Sequence, residues 1–277
     1  MKPGLLFKAR GTAMKRLLSL LLLAAPLFSG CTTVEGTGRR QLMLVTEDQE
    51  QALGLDAYRQ ILADEKISND SYMTGILRRV GERIAVVADR PDFEWEFNLI
   101  ESEQVNAFCL PGGKIAVYTG ILPIMKNEAG MAAVIGHEVA HAIARHSGER
   151  MSQHMSATVV GELLAIGMQD ASPGVRETTL QAFGVGTQVG VLLPFSREHE
   201  SEADVMGLMY TAKAGYDPRE SVRLWQRMKE ASGKKPPEFL STHPSEDRRI
   251  NELQDLMPKA LKAYEAVPEQ YGLGQQW

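Results

Sequence analysis

His137-Glu138-Val139-Ala140-His141 is the stretch on which the reading of this chain turns. Asn127 opens a helix that the apolar pattern carries through it to about Ser147. At about 100° per residue, positions four apart lie about 40° apart on the helix surface and one turn apart along it. Both imidazoles therefore reach one ion, while Glu138, about 100° round, stands beside it rather than on it. Zinc held by three protein ligands keeps an open position for water and lowers the pKa of that water to about 7. Glu138 is then the candidate catalytic base, taking the water's proton and passing it to the leaving amine.

A third ligand is needed. His146, nine residues after His137, stands about 180° round the wheel and so points away from the ion. Ala144 and Ser147 occupy places where the metzincin pattern needs Gly and His, which excludes that class. The better candidate is Glu200 in Arg197-Glu198-His199-Glu200-Ser201-Glu202-Ala203-Asp204. Glu200 and Asp204 share a helix face by the same geometry, whereas Glu202 lies about 200° from Glu200 and cannot share its role. Asp204 is placed to accept the free N–H of a metal-bound imidazole. His154 and His199 have no supporting geometry and are expected at the surface.

Around this centre the chain alternates helical and extended signals. Thr46-Glu47-Asp48-Gln49 reads as a capping box opening a helix to about Lys66. Asn69 and Asp70 can cap a second, with Met73, Ile76, Leu77, Val80, Ile84 and Val87 at helical spacing until Arg90-Pro91-Asp92. Phe93–Ile100 alternates as a strand does, and Val105–Leu110 and Ile115–Tyr118 flank Pro111-Gly112-Gly113 as strand, turn and strand. Thr178–Ser196 is uncharged and raises a membrane question, but Gln181, Gln188 and its glycines make it a poor span. A buried or amphipathic helix against the core is expected there. Helices follow from Arg197 to Ala214 and on to about Ser232, then a loop at Lys234-Lys235-Pro236-Pro237 and a last helix opened by Ser245. The tail, residues 266–277, has few packing residues.

The chain has 277 residues, which suits one large domain or two small ones. With 35 acidic against 30 basic residues it carries a net charge of −5, which disfavours a nucleic-acid binder. The basic charge is uneven. Lys2, Lys8, Arg10, Lys15 and Arg16 fall in residues 1–30, which contain no acidic residue. Lys15-Arg16, the apolar run Leu17–Phe28 and Ser29-Gly30-Cys31 describe a secretory signal, with Met14 a possible start in place of Met1. The run is short of the roughly 20 apolar residues that span a bilayer. Its end resembles a bacterial lipobox with Phe28 in place of the usual Leu, which implies lipid on Cys31, and Thr32 after it points to the outer membrane. Residues 31–45 read as a tether, and 46–265 as the catalytic domain. With Cys109 the single cysteine left after processing, no intramolecular disulfide forms.

Several pieces together are similar to the HtpX/BepA-type gluzincin zinc metallopeptidases, which include the CAAX prenyl proteases. They are Thr37-Gly38-Arg39-Arg40-Gln41-Leu42, Asn106-Ala107-Phe108-Cys109-Leu110-Pro111-Gly112-Gly113, the His137–His141 motif with Arg145-His146, Glu200–Asp204, and Ser241-Thr242-His243-Pro244. The resemblance is to the soluble, lipid-anchored periplasmic members, without the membrane spans or tetratricopeptide repeats of other members. It implies an α+β, mainly helical zincin-like fold with a small sheet. It also implies one zinc on His137, His141 and Glu200, Glu138 as base and Asp204 behind the ligands, with residues 151–196 as a lid. Misfolded or unassembled envelope proteins are the implied substrates, and outer-membrane assembly machinery a possible partner.

In zinc peptidases the substrate commonly adds a strand to an exposed sheet edge, and Asn106, Ala107 and Phe108 are the candidates here. Cys109 is read as a small strand residue, not a nucleophile. By the same resemblance His243 either occupies the open zinc position at rest or steadies the oxyanion once substrate is bound. A reading of another class is a latent, chaperone-like factor for outer-membrane proteins, with zinc mainly structural or regulatory.

Overall fold

A computed structural model describes residues 30–188, 193–231, 238–243, 247–272, 274 and 276–277. The leader up to Ser29 with its Phe28, the Lys234–Pro237 loop, and Pro244 and Ser245 lie outside the described residues. The chain divides into two units. One comprises residues up to 34 with 38–45 and 148–194; the other comprises 35–37, 46–147 and 195–277.

In the first unit β1 (Cys31–Thr33) pairs antiparallel with β2 (Arg40–Leu42). The Val34 N–H donates to Arg39 O at 2.7 Å, closing the hairpin. Its second arm is fastened by Arg39 on Glu149 at 2.6 Å and by the Leu44 N–H on Ser152 Oγ at 2.8 Å. Residues 31–45, expected as a tether, thus carry an ordered hairpin. Of the helix expected against the core at Thr178–Ser196, residues 189–192 lie outside the described residues, and the part up to Thr187 differs too. α6 (Pro173–Thr187) buries no residue and exposes Val175 and Val185. Among the described residues no helix is long and apolar enough to cross a membrane.

The second unit is built on long helices and one small sheet. Thr46 caps α1 (Glu47–Asp64) through a complete capping box, and Asp70 caps α2 (Ser71–Ala88) by accepting the Met73 N–H. α2 sends Met73, Ile76, Leu77, Val80 and Ile84 inward, the stripe that its spacing foretells. The strand expected from Phe93 starts at β3 (Glu96–Ile100). β4 (Ala107–Leu110) and β5 (Lys114–Tyr118) form an antiparallel hairpin, and β3 pairs parallel with β5, giving the order β3-β5-β4. Gly112 and Gly113 hold φ values of +85° and +82° in the turn, a region closed to most side chains.

After a short turn of helix, α3 (Leu122–Met125), comes α4 (Glu128–Ile143), capped by Asn127 accepting the Gly130 N–H. α4 is apolar on almost every face and packs on α2 and β4. It stops at Ile143 rather than Ser147, because Arg145 takes a left-handed φ of +58° and α5 (His146–Gly167) starts afresh. α7 (Leu193–Lys213) ends before Gly215, and α8 (Arg219–Ala231), α9 (Glu238–Thr242) and α10 (Asp247–Glu265) complete the chain. The tail, expected to pack little, is pinned. The Tyr271 N–H donates to Gly215 O at 2.8 Å, and the Arg83 guanidinium lies 3.4 Å from the Tyr271 ring centre.

Two glycines set where α4 and α7 cross. A Cβ on Gly207 would sit 2.8 Å from the backbone N of His137, and one on Gly136 would sit 2.9 Å from Gly207 O. Side-chain-free backbone on both helices lets them touch one residue from the first histidine of the motif. The Thr211 hydroxyl, bonded to Ala132 O at 3.2 Å, ties the crossing further along.

Candidate metal centre

The crossing of α4 and α7 places Glu200 over the histidine pair. His137 Nε2 and His141 Nε2 are 3.1 Å apart, and Glu200 reaches them at 3.3 Å with Oε2 and 3.3 Å with Oε1. The two imidazole nitrogens are close to the edge of about 3.3 Å that a tetrahedral site with bonds of about 2.0–2.1 Å has, and Glu200 spans them with one carboxylate oxygen toward each, a donor set that can close on one zinc-sized ion. His243, just past α9, brings a further donor. Its Nδ1 lies 3.0 Å from Glu200 Oε1 and 3.3 Å from His137 Nε2. One donor atom from each of His137, His141, Glu200 and His243 falls within 4.8 Å of the others. Nitrogen and carboxylate donors of this kind suit zinc.

Glu138 faces the same space without joining the donor set. It is buried, its Oε1 has no hydrogen-bond partner, and the nearest cation-forming group is His243 Nε2 at 3.4 Å. Burial raises its pKa, and the nearby His243 and His137 only partly offset that. Glu200 behaves oppositely. Burial would raise it, but His141 and the other imidazoles around it hold it well below the usual carboxylate range. Two carboxylates in one pocket are thus driven apart, the pattern that separates an anionic ligand from a group that exchanges a proton.

Asp204 lies one turn beyond Glu200 and meets His137 Nδ1 at 3.1 Å, with the ring N–H directed off that line. Burial disfavours a charged His137, yet Asp204 and Glu200 outweigh it and raise its pKa to about 9. Asp204 is itself fixed by Arg249 on α10, whose Nε and Nη2 donate to its two oxygens at 2.6 and 2.8 Å. Arg249 also places Nη1 3.0 Å from Glu200 Oε2 and stacks 3.9 Å above the Trp225 ring. Sequence reasoning missed this residue. Its signal was a cationic side chain four residues before apolar Leu253, on a face that α10 buries.

The other expected residues are placed as follows. β4, which carries Ala107 and Phe108, is an edge strand of its sheet, and Asn106 immediately precedes it. Cys109 is buried, and burial together with the Glu138 charge pushes its thiol well above the usual value, against any nucleophilic role. Cys31 is exposed on β1, and His154 is exposed as expected. Two expectations are overturned. His146 does not point away: with α4 broken at Arg145, its Nδ1 lies 2.8 Å from His141 Nδ1. His199 is not at the surface but buried, its ring stacked on His146 with centroids 4.2 Å apart.

The model of peptidase family M48 matches residues 72–257. The mitochondrial metalloendopeptidase OMA1 of Schizosaccharomyces pombe is 38% identical over 229 residues, 81% of this chain and 66% of that protein. The OMA1 protein of Arabidopsis thaliana is 34% identical over 206 residues, 74% of this chain and 40% of its own length. The beta-barrel assembly-enhancing protease of Yersinia pestis is 29% identical over 253 residues, 86% of this chain and 52% of that protein. The chain thus spans between two fifths and two thirds of the length of these relatives. The similarity includes mitochondrial proteins at higher identity than the bacterial protease, so it is not confined to bacterial envelope members.

Proposed function

The chain belongs to peptidase family M48, and from that premise we propose that it is a zinc endopeptidase of the bacterial cell envelope, cutting misfolded or unassembled envelope proteins. The proteolytic part rests on one observation: the His137, His141 and Glu200 donors gathered at one point with the buried Glu138 carboxylate beside them. Zinc on those three residues supplies a Lewis acid that polarises a scissile carbonyl and makes water acidic. Glu138 takes the proton on a carboxylate oxygen and hands it to the leaving amine. Asp204, clamped by Arg249, keeps the His137 ring in place. The substrate lies as an added strand along the edge at Asn106, Ala107 and Phe108, which makes recognition tolerant of sequence.

His243 holds the fourth place of the donor set at rest and leaves it when substrate enters; its Nδ1, 3.0 Å from Glu200, supports this latch. The same contact favours the second reading, a latent chaperone-like factor for outer-membrane proteins. Location rests on the leader. A short basic start, an unbroken apolar run and a small-residue end at Cys31 suit a lipoprotein signal better than the amphipathic, Arg- and Ser-rich segment that addresses mitochondria. A lipid on Cys31 then anchors the protein in the periplasm, at the outer membrane. The name of the bacterial relative, a beta-barrel assembly-enhancing protease, supports β-barrel proteins in assembly as substrates and their assembly machinery as a partner.

Casein digestion by the purified chain with zinc, beside Glu138→Gln, tests the proposal. Cleavage lost only in the variant supports it. Equal cleavage by both overturns Glu138 as base. If neither cuts, His243→Ala decides: activity unmasked by that change establishes the latch, and continued silence favours the chaperone-like reading.

A further inference from the structure

Behind His141, on the side away from the donor cluster, the second unit carries buried polar groups that the proposed reaction does not use. His141 turns Nε2 to Glu200 and Nδ1 to His146 Nδ1, 2.8 Å away. His146 is buried, and its other nitrogen, Nε2, lies 2.9 Å from Glu202 Oε2. Glu202 is buried as well and accepts the Thr37 hydroxyl on its second oxygen. The His199 ring stacks nearly parallel to His146, at 15°.

Proton accounting allows one arrangement along this row. Two imidazole nitrogens at 2.8 Å share a single proton, since a neutral ring has one N–H and one lone pair. A metal on His141 Nε2 takes that lone pair, so His141 Nδ1 carries the hydrogen and His146 Nδ1 accepts it. His146 is then protonated on Nε2, which donates to the Glu202 carboxylate. Reversing the row would set a carboxylate oxygen against a bare ring nitrogen at 2.9 Å, two acceptors facing each other inside the protein.

The backbone bends to build this row. On a continuous helix His146 would lie about 140° round from His141. The left-handed turn at Arg145 swings it back, a conformation that costs a non-glycine residue free energy. The buried Glu50 carboxylate holds that turn by accepting Arg145 Nε at 3.1 and 3.3 Å.

We propose that His146 and Glu202 are positioning residues of the metal centre, a His–Glu relay that fixes the tautomer and ring orientation of His141. The proposal rests on His141 ligating zinc through Nε2. Partners of metal-bound imidazoles typically change metal affinity or activity by about 10–100-fold when removed. Here the carboxylate acts through an interposed imidazole, so His146 is the more sensitive of the two.

Zinc affinity by chelator competition, and the visible spectrum of the cobalt-substituted protein, are measured for the chain, His146→Phe and His146→Asn. Phe keeps the stacking on His199 but accepts nothing; Asn returns an acceptor oxygen near the place of Nδ1. The expected result is a roughly 10–100-fold weaker zinc affinity with altered cobalt bands for Phe, and recovery of both for Asn. Wild-type affinity and spectrum in His146→Phe overturn the relay while leaving the zinc site intact, as does an equal loss in Phe and Asn. Failure of the unaltered chain to bind zinc overturns the metal site and the relay with it. If the Phe variant does not fold, nitrogen-15 shifts of the imidazoles in the unaltered zinc protein decide: His146 protonated on Nε2 supports the relay, and on Nδ1 overturns it.

Discussion

Glu138 is the residue on which the chemistry depends most. Glu138→Gln keeps its size and removes the proton acceptor, so cleavage should fall by about 10²–10⁴-fold, the usual contribution of a positioned acid–base. Zinc content should stay unchanged, because Glu138 is outside the donor set; loss of metal by elemental analysis would refute that placement. Arg249 carries a different load. It is buried between Asp204 and Glu200, and its removal takes from both carboxylates their buried guanidinium partner. Arg249→Met should cost about 3–5 kcal/mol in urea unfolding, as broken buried ion pairs do, and a loss under about 1 kcal/mol would contradict the clamp. At this scale the sequence was legible where chemistry and helical period coincide: i, i+4 spacing sets His137 with His141 and Glu200 with Asp204 on one helix face each, and the structure brings the two pairs together. Arg249 and His199 were not legible. An arginine and a histidine on charged helices read as solvated until tertiary packing supplies the carboxylates and ring that bury them.

At the scale of elements the centre is a crossing of two helices. Gly136 and Gly207 hold the α4 and α7 backbones close enough for Glu200 to reach the histidines. Gly207→Ala should push them apart, lowering stability by about 1–3 kcal/mol as overpacking does and weakening zinc binding in the same variant. Normal zinc affinity with lowered stability would mean that the ligands do not depend on the crossing. Thr46→Ala, at the capping box of α1, should cost about 1 kcal/mol in stability, and an unchanged stability would contradict the cap. Caps, the α2 stripe and the β4–β5 hairpin follow local rules and were legible. The end of α4 was not, because nothing local marks a left-handed arginine. Glu50, distant in sequence, holds it. That one residue turns His146 from a bystander on the far side of a helix into a neighbour of His141.

At the scale of the molecule, the second unit brings ligands from α4, α7 and the segment after α9 to one point, so the metal closes long loops of chain. An ion bound only by the folded state stabilises it in proportion to its excess over the dissociation constant, about 2.7 kcal/mol at a hundredfold excess. Chelation should therefore lower the melting temperature, and an unchanged melt with metal verifiably gone would show that the centre adds nothing to the fold. Helix content and the small sheet were legible from pattern. The division into two units was not, since residues 31–45 and 148–194 are remote in sequence and meet through Arg39–Glu149 and Leu44–Ser152. The most direct measurement of the central claim is anomalous diffraction at the zinc edge from crystals of the zinc-loaded chain. The account predicts a single strong peak among His137 Nε2, His141 Nε2 and the Glu200 carboxylate; a peak elsewhere, or density there without zinc's anomalous signal, would contradict it.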